Sequence, residues 1–277
     1  MKRISFTLWI IPLLIPFAAN AQYMKPTFIE TSTGVIAVQI NEVTGSIPLI
    51  LLHGVYYDHH MWDEQIKGIN DRTVITLDMP MHGASKQIRK TNWTLDDCAQ
   101  MLIDVLDKLE IEEAYAVGHS WGSMTILRAA AKAPNRFKAV GLCNMPFEAA
   151  TSKTRRQFSM QHTLLPFRSF YAKQVAKALY GKASLANNTE LQTHLQRSMS
   201  KLSNKEVRQT DKAVIMQATS SDGLIKSLQV PAIALKGEED YVPLSPDLQT
   251  QIVSGGHLSP LEVPEIVGKF IQQVLAQ

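Results

Sequence analysis

Cysteine is scarce in this chain. Its 277 residues contain only Cys98 and Cys143, too few for the disulfide framework of a small secreted domain. Cys98 falls in a predicted helix and Cys143 at the end of a predicted strand. We therefore expect two small buried apolar side chains, although a disulfide between them stays open. No Cys and His spacing resembles a zinc site, so the sequence predicts no metal site.

A marked excess of charge is also missing. The formal net charge is +3, and it falls to about +1 once Lys2 and Arg3 are left out. This balance indicates neither a nucleic-acid partner nor a polybasic membrane partner. The most basic local cluster, Lys153–Arg156, is interpreted as a solvated loop or helix start. The chain has no Gly-x-x-x-x-Gly-Lys-[Ser/Thr] loop, no internal repeat and no low-complexity segment.

A long hydrophobic run occurs at the N-terminus. Residues 4–19 are almost wholly apolar, follow two basic residues and lead into Ala19-Asn20-Ala21. This pattern predicts a signal peptide over residues 1–21, cleaved after Ala21, and therefore a secreted or periplasmic protein. A membrane anchor is the alternative, but the run is short for a span and two prolines interrupt it. Residues 22–277 suffice for one large domain.

Strand and helix patterns alternate along that domain. Short apolar runs predict strands at 48–52, 73–77, 114–117, 138–142 and 231–235, after an alternating strand at 35–40. Helical periodicity predicts helices at 61–69, 95–109, 123–132 and 264–275, the second capped by Thr94. This alternation predicts an α/β fold with a mostly parallel central sheet and helices on both faces.

The region from about 146 to 229 departs from that alternation. It is polar and helix-favouring, has no buried strand, and contains predicted helices at 173–180 and 189–202. An insertion of this size before the last strands is interpreted as a helical cap over a site. The alternative is a helical layer on the sheet with no role in binding.

Ser120 stands between Gly118 and Gly122 in the pattern G-x-S-x-G. A predicted strand precedes the pattern and a predicted helix follows it. A sharp strand-to-helix turn of this kind forces the serine into a strained conformation and requires small neighbours. The context therefore favours Ser120 as a nucleophile over a chance match.

A serine nucleophile needs a base and a group that orients the base. His257 follows two glycines and precedes the last predicted helix, so it is the candidate base. Three carboxylates, Glu238, Glu239 and Asp240, follow the 231–235 strand, and one of them could orient the histidine. We expect Glu238 and Glu239 to form a surface turn. The order serine, acid, histidine is typical of hydrolases built on a parallel sheet.

A tetrahedral intermediate also needs two hydrogen-bond donors for its oxyanion. The backbone N–H of Trp121, directly after Ser120, is the first candidate. The N–H of Val55, in the loop after the 48–52 strand, is the second. His53 in that loop is predicted to shape the backbone through hydrogen bonds.

Together these motifs resemble the α/β-hydrolase superfamily, in its serine-nucleophile esterase, lipase and perhydrolase-like branch with a helical cap. The matching stretches are LILLHGVYYDHHMW, DMPMHGAS, VGHSWGSM, VPAIALKGEEDYVP and SGGHLSPLEVPE. The resemblance implies that Asp240 is the acid and His257 the base. Met81 stands where members of the family usually carry glycine, and the cap matches no particular subfamily.

The predicted function is hydrolysis of a carboxylic ester or similar small acyl substrate through an acyl-enzyme, without a cofactor or metal. Amide hydrolysis, carbon–carbon bond hydrolysis and perhydrolysis use the same residues and stay open, as does a non-catalytic ligand-binding role. Serine in place of aspartate argues against haloalkane dehalogenase and epoxide hydrolase chemistry. The expected partner is a small molecule, with no nucleic acid and no stable membrane insertion, and the oligomeric state stays open.

Overall fold

The computed structural model describes residues 25–277. The predicted signal peptide, residues 1–21, lies outside the described residues, so its cleavage and the location that follows from it stay predictions. Within the described range, no helix is long and apolar enough to cross a membrane.

A nine-stranded mixed sheet forms the centre of this part of the chain. The strands are β1 (Thr27–Glu30), β2 (Gly34–Asn41), β3 (Leu49–Leu52), β4 (Val74–Leu77), β5 (Gln87–Ile88), β6 (Ala114–His119), β7 (Phe137–Cys143), β8 (Ala232–Gly237) and β9 (Thr250–Val253). Their order is β1-β2-β4-β3-β6-β7-β8-β9, with β5 paired to β2. All pairs from β4 to β9 are parallel, whereas β2 pairs antiparallel with β1, β4 and β5. The predicted, mostly parallel α/β sheet is confirmed.

Helices cover both faces of the sheet. The helices outside the cap are α1 (Asp63–Ile66), α2 (Leu95–Lys108), α3 (Trp121–Lys132), α10 (Ser259–Glu262) and α11 (Pro264–Leu275). The α2 helix packs on α3, and α1 packs on α11. Thr94 caps α2 as predicted, in a reciprocal capping box with Asp97. The strands β3, β4 and β6 are fully buried because their continuous apolar runs face helices on both sides.

The structure differs from the sequence prediction at polar or short elements. The predicted helix at 61–69 is a 3₁₀ turn (His59–Trp62) followed by the single turn of α1. The strands β1 and β9 were not predicted, because most of their side chains are exposed or half-buried and carry no apolar run.

The chain between β7 and β8 folds into helices. They are α4 (Ser152–Gln161), α5 (Arg168–Leu179), α6 (Lys182–Asn187), α7 (Glu190–Ser200), α8 (Asn204–Asp211) and α9 (Asp222–Ser227), with a 3₁₀ turn (His162–Leu164) and a π-helical turn (Lys212–Met216). No strand occurs between β7 and β8. We call this region, residues 146–229, the cap.

Candidate active site

Ser120 occupies the turn between β6 and α3. Its backbone has φ of 51° and ψ of −109°, and residues other than glycine rarely adopt a positive φ. A Cβ at Gly118 would collide with the backbone of Gly122 and Ser123, and a Cβ at Gly122 would collide with Leu52 of β3. Both glycines are therefore required by close backbone approach, as the interpretation of the motif assumed.

The structure brings Ser120, His257 and Asp240 together. Nε2 of His257 lies 2.9 Å from Oγ of Ser120, and Nδ1 of His257 lies 2.9 Å from Oδ1 of Asp240. All three residues are buried. In this arrangement Nδ1–H donates to the carboxylate, which leaves Nε2 as the acceptor facing the serine hydroxyl.

Asn144, which the sequence analysis missed, supports the acid. It follows β7, its Nδ2 donates to Oδ2 of Asp240 at 2.8 Å, and its φ is 50°. Burial raises the pKa of Asp240, but the charge and hydrogen bond of His257, the Asn144 amide and the Val242 N–H together hold that pKa below its ordinary value. Asp240 is therefore ionised at neutral pH. A polar residue after a buried strand was the available signal for Asn144.

Glu262 fixes the backbone on both sides of His257. Its carboxylate accepts hydrogen bonds from the N–H of Gly256 at 3.0 Å and of Leu258 at 3.1 Å. It also accepts from the N–H of Gly181, where α5 leads into α6, at 2.9 Å. The glutamate therefore ties the histidine loop to the cap. No catalytic motif in the sequence singles out this residue, so it could not be predicted.

The two predicted oxyanion donors are free to bind a ligand. Neither the N–H of Val55 nor the N–H of Trp121 donates a hydrogen bond within residues 25–277. Trp121 is the first residue of α3, where backbone N–H groups have no partner inside the helix. Val55 and Ser120 line the same cavity. The Trp121 ring does not line the cavity but stacks on Trp93 in the core.

Two buried neutral histidines set the conformation of the Val55 loop. Nε2 of His53 accepts from the N–H of Met79, and Nε2 of His82 accepts from the N–H of Tyr56. Burial lowers the pKa of His53 and lowers the pKa of His82 to about 3. His53 therefore has the structural role that the sequence analysis gave it. Met81, beside His82, has a φ of 70°, which explains why glycine is common at this position.

His119, next to the serine in sequence, makes no hydrogen bond to the serine hydroxyl among residues 25–277, and that hydroxyl is bound by His257 instead. Its Nε2–H donates to the carbonyl of His257 at 2.6 Å. Burial, and then the proximity of His257, lowers its pKa to about 3. It is a neutral residue that supports the loop of His257.

Ser120 and His257 open onto a cavity of about 540 Å³ between the sheet and the cap. Cap residues make up most of its wall, and those that are apolar include Phe147, Phe158, Leu164, Val175, Leu179 and Val214. Tyr241 covers the site from the solvent side, with its ring stacked on His257 at a centroid distance of 4.7 Å. Tyr56 lines this cavity, whereas the nearby aromatic residues Tyr57 and Trp62 are buried outside its wall.

The cap holds the Val55 loop through Tyr56. The Tyr56 hydroxyl donates to Oδ1 of Asp211 at 2.8 Å, and its carbonyl accepts from Ser198 at 2.6 Å. Oδ2 of the fully buried Asp211 accepts from Nε2 of His162 at 2.8 Å. Burial raises the pKa of Asp211 even though His162 and Tyr56 both bind it. The cap and the Val55 loop therefore share one buried network of hydrogen bonds.

Cys98 and Cys143 are both buried free thiols. Burial raises the pKa of each thiol, so neither is a reactive thiolate at neutral pH. The interpretation as small buried side chains agrees with this placement.

Asp58, His59 and His60 could together offer metal ligands in the described part of the chain. Lys201 pairs with the Asp58 carboxylate at 2.7 Å, and His59 pairs with Asp78 at 2.8 Å. Lys201 therefore competes with any cation for the Asp58 carboxylate.

Known proteins share this sequence pattern. A family model described as the alpha/beta hydrolase fold matches residues 47–213. The chain is 25% identical over 260 residues to 3-oxoadipate enol-lactonase 1 of Acinetobacter baylyi, covering 86% of this chain and 90% of that protein. It is also 25% identical over 277 residues to an uncharacterized carboxylesterase of Bacillus subtilis, covering 90% of this chain and 86% of that protein.

Solved structures share the fold. A thermophilic esterase from Thermogutta terrifontis matches with a TM-score of 0.78 at 20% identity, over 91% of this chain and 98% of that one. An enol-lactonase from Burkholderia xenovorans matches with a TM-score of 0.81 at 16% identity, over 91% of this chain and all of that one. The chain therefore belongs to the α/β-hydrolase fold family and is an α/β-fold hydrolase.

Proposed function

We propose that the protein is a serine esterase in which Ser120, His257 and Asp240 form the catalytic triad. Ser120 attacks the ester carbonyl while His257 takes the serine proton, and the N–H groups of Val55 and Trp121 bind the oxyanion. His257 then gives the proton to the leaving alcohol. In the second half, His257 deprotonates a water that attacks the acyl carbonyl, and it then returns that proton to the Ser120 oxygen as the carboxylic acid leaves.

The hydrogen-bonded chain from Ser120 through His257 to Asp240 at the cavity wall is the observation that carries this proposal. Asp240 stabilises the imidazolium that forms during attack because its own pKa is held low. The N–H of Trp121, next to Ser120 in the chain, and the N–H of Val55, on the wall of the same cavity, donate no hydrogen bond within residues 25–277.

The cavity wall favours a neutral, apolar acyl substrate. No Lys or Arg is among the described residues that line it, and Glu148 at its exposed mouth is negative. A substrate carboxylate would lose water here without gaining a cation partner, which is costly.

Hydrolysis of p-nitrophenyl esters from acetate to decanoate, with an anionic succinate monoester beside them, tests this function. We expect neutral esters to be cleaved at least about tenfold faster than the anionic ester, and Ser120→Ala to lose roughly 10⁴-fold or more in kcat. Ser159→Ala, exposed on α4, is the matched control and should retain activity. Hydrolysis by Ser120→Ala at the wild-type rate would refute the triad.

We also propose that residues 1–21 are removed on export. N-terminal sequencing of the protein from its host should begin at Gln22. A sequence that begins at Met1 would refute this.

A further inference from the structure

The cap segment above the cavity carries positive charge only. Residues 149–189 contain seven Lys and Arg and no Asp or Glu. We call this segment the roof; it comprises α4, the 3₁₀ turn, α5 and α6. Six of the seven basic side chains are exposed, the exception being the half-buried Arg168. None of the seven forms an ion pair within the described residues, so their charge is available to a partner.

Large apolar side chains are exposed on the same segment. Met160 is 66% exposed, Phe167 is 67% exposed and Phe170 is 51% exposed. Lys153, Arg156 and Met160 follow the spacing i, i+3, i+7 and therefore lie on one face of α4. Basic and apolar groups side by side on a helix surface are typical of proteins that bind at a lipid interface.

A groove on this face lies next to the catalytic cavity. It has a volume of about 700 Å³, and Lys153, Arg156 and Met160 are on its wall. Gln157, Gln161 and Leu164 line both the groove and the 540 Å³ cavity. Three side chains therefore separate the exposed roof from the space in front of Ser120.

We propose that the roof docks on an anionic lipid surface. Phosphate groups of the lipid pair with the unpaired cations of α4, and Met160 and Phe167 insert among the acyl chains. The groove on α4 then faces the lipid, so apolar esters that partition into the membrane lie next to the cavity. Charge and apolar exposure occur together here, and this favours a lipid surface over a nucleic acid, for which charge alone would suffice.

Co-sedimentation with vesicles tests this directly. The Ser120→Ala protein is used, so that binding is measured without hydrolysis and a failure here is separate from a failure of the proposed esterase. We expect binding to vesicles that contain phosphatidylglycerol, little binding to pure phosphatidylcholine, and loss of binding in high salt.

Two roof variants and one control locate the surface. Lys153→Glu with Arg156→Glu should weaken partitioning by about tenfold or more, and Met160→Ser with Phe167→Ser should weaken it at constant charge. Lys205→Glu with Lys226→Glu makes the same change in net charge at exposed cap positions outside the roof and should bind within about threefold of the parent. All altered side chains are exposed, so each variant should melt at the parent temperature.

Equal binding by the roof variants and the control would overturn the proposal. So would equal binding to phosphatidylcholine vesicles, or binding to a single-stranded oligonucleotide without binding to any vesicle. The last result would assign the roof to a nucleic acid instead.

Discussion

The cap and the rest of the described chain carry opposite charge. Residues 146–229 contain 13 Lys and Arg against 5 Asp and Glu, whereas 25–145 with 230–277 contain 13 Lys and Arg against 20 Asp and Glu. The near-neutral whole is therefore a strongly cationic cap on a strongly anionic sheet region. A net charge taken over the full chain averages the two regions, which is why the composition gave no indication of a basic surface on the cap.

The two regions also contribute different parts of the candidate active site. The sheet region supplies Ser120, Asp240 and His257 at strand ends, where buried backbone fixes their positions. The cap supplies most of the cavity wall and one side of the network that binds Tyr56. Substitutions of the site residues in the sheet region should therefore lower kcat for every substrate. Substitutions in the cap should instead change kcat/KM for some substrates more than for others.

The largest effect is expected in the sheet region. Asp240→Asn should lower kcat by roughly 10⁴-fold, because the amide can neither fix the His257 tautomer nor stabilise its cation. Ester hydrolysis measures this. Asp247→Asn, exposed on the chain that follows, is the control and should be unaffected. A loss below tenfold in Asp240→Asn would mean that another group orients His257.

Acid should destabilise the sheet region through its buried histidines. The pKa of His82 and of His119 is about 3 in the fold against 6.5 for an ordinary histidine. Below pH 6.5 these histidines become protonated in the unfolded chain but stay neutral in the folded protein. The free energy of unfolding is therefore highest above that pH and decreases as the pH falls toward 3. The two together should remove roughly 3 kcal/mol of unfolding free energy per pH unit between about pH 5.5 and 4.5.

Urea unfolding at these pH values measures the slope. His82→Gln keeps an acceptor for the Tyr56 N–H and should reduce the slope by roughly 1.4 kcal/mol per pH unit. A slope that the substitution leaves unchanged would contradict the assignment of His82 as neutral.

In the cap, Val175→Phe should change substrate choice without changing chemistry. Val175 lines the cavity from α5, so a larger ring there should lower kcat/KM for decanoate by about 100-fold and leave acetate near wild type. Phenylalanine at exposed Ala183 on α6 adds the same bulk away from the cavity and serves as control. An equal loss for both esters would mean that the cap does not select the acyl chain.

Glu262 joins the two regions and should have the smallest of these effects. Glu262→Gln replaces one of the two accepting oxygens by an NH₂, which then faces either the N–H of Gly181 or the N–H groups of Gly256 and Leu258. The contact between the His257 loop and the cap should loosen in either case, which should lower kcat about tenfold at unchanged KM. Glu265→Gln, exposed on α11, is the control. Reduced stability with an unchanged kcat would make Glu262 structural only.

The sequence predicted the sheet and the positions of the site residues, because both leave local patterns. Buried parallel strands are continuous apolar runs, and the turn at Ser120 needs two glycines whatever the rest of the chain does. The roles assigned to Ser120, Asp240, His257, Val55 and Trp121 agree with where the structure places them and stay predictions until tested.

Residues that act through long-range contacts could not be predicted. Asn144 and Asp240 are far apart in sequence, as are Tyr56 and Asp211, and no local pattern marks either pair. The edge strand β9 lacks an apolar run because its side chains are largely exposed. The cavity wall depends on how cap helices pack on the sheet, so the sequence alone gave no basis for the proposal of a neutral substrate.

Covalent labelling tests the central claim, Ser120 as the nucleophile, most directly. A fluorophosphonate reacts only with a serine that its own base activates, so peptide mass spectrometry should find one adduct, on Ser120. Asp240→Asn should be labelled much more slowly, Ser120→Ala not at all, and Ser159→Ala like the wild type. An adduct on another residue, or labelling of Ser120→Ala at the wild-type rate, would contradict the account.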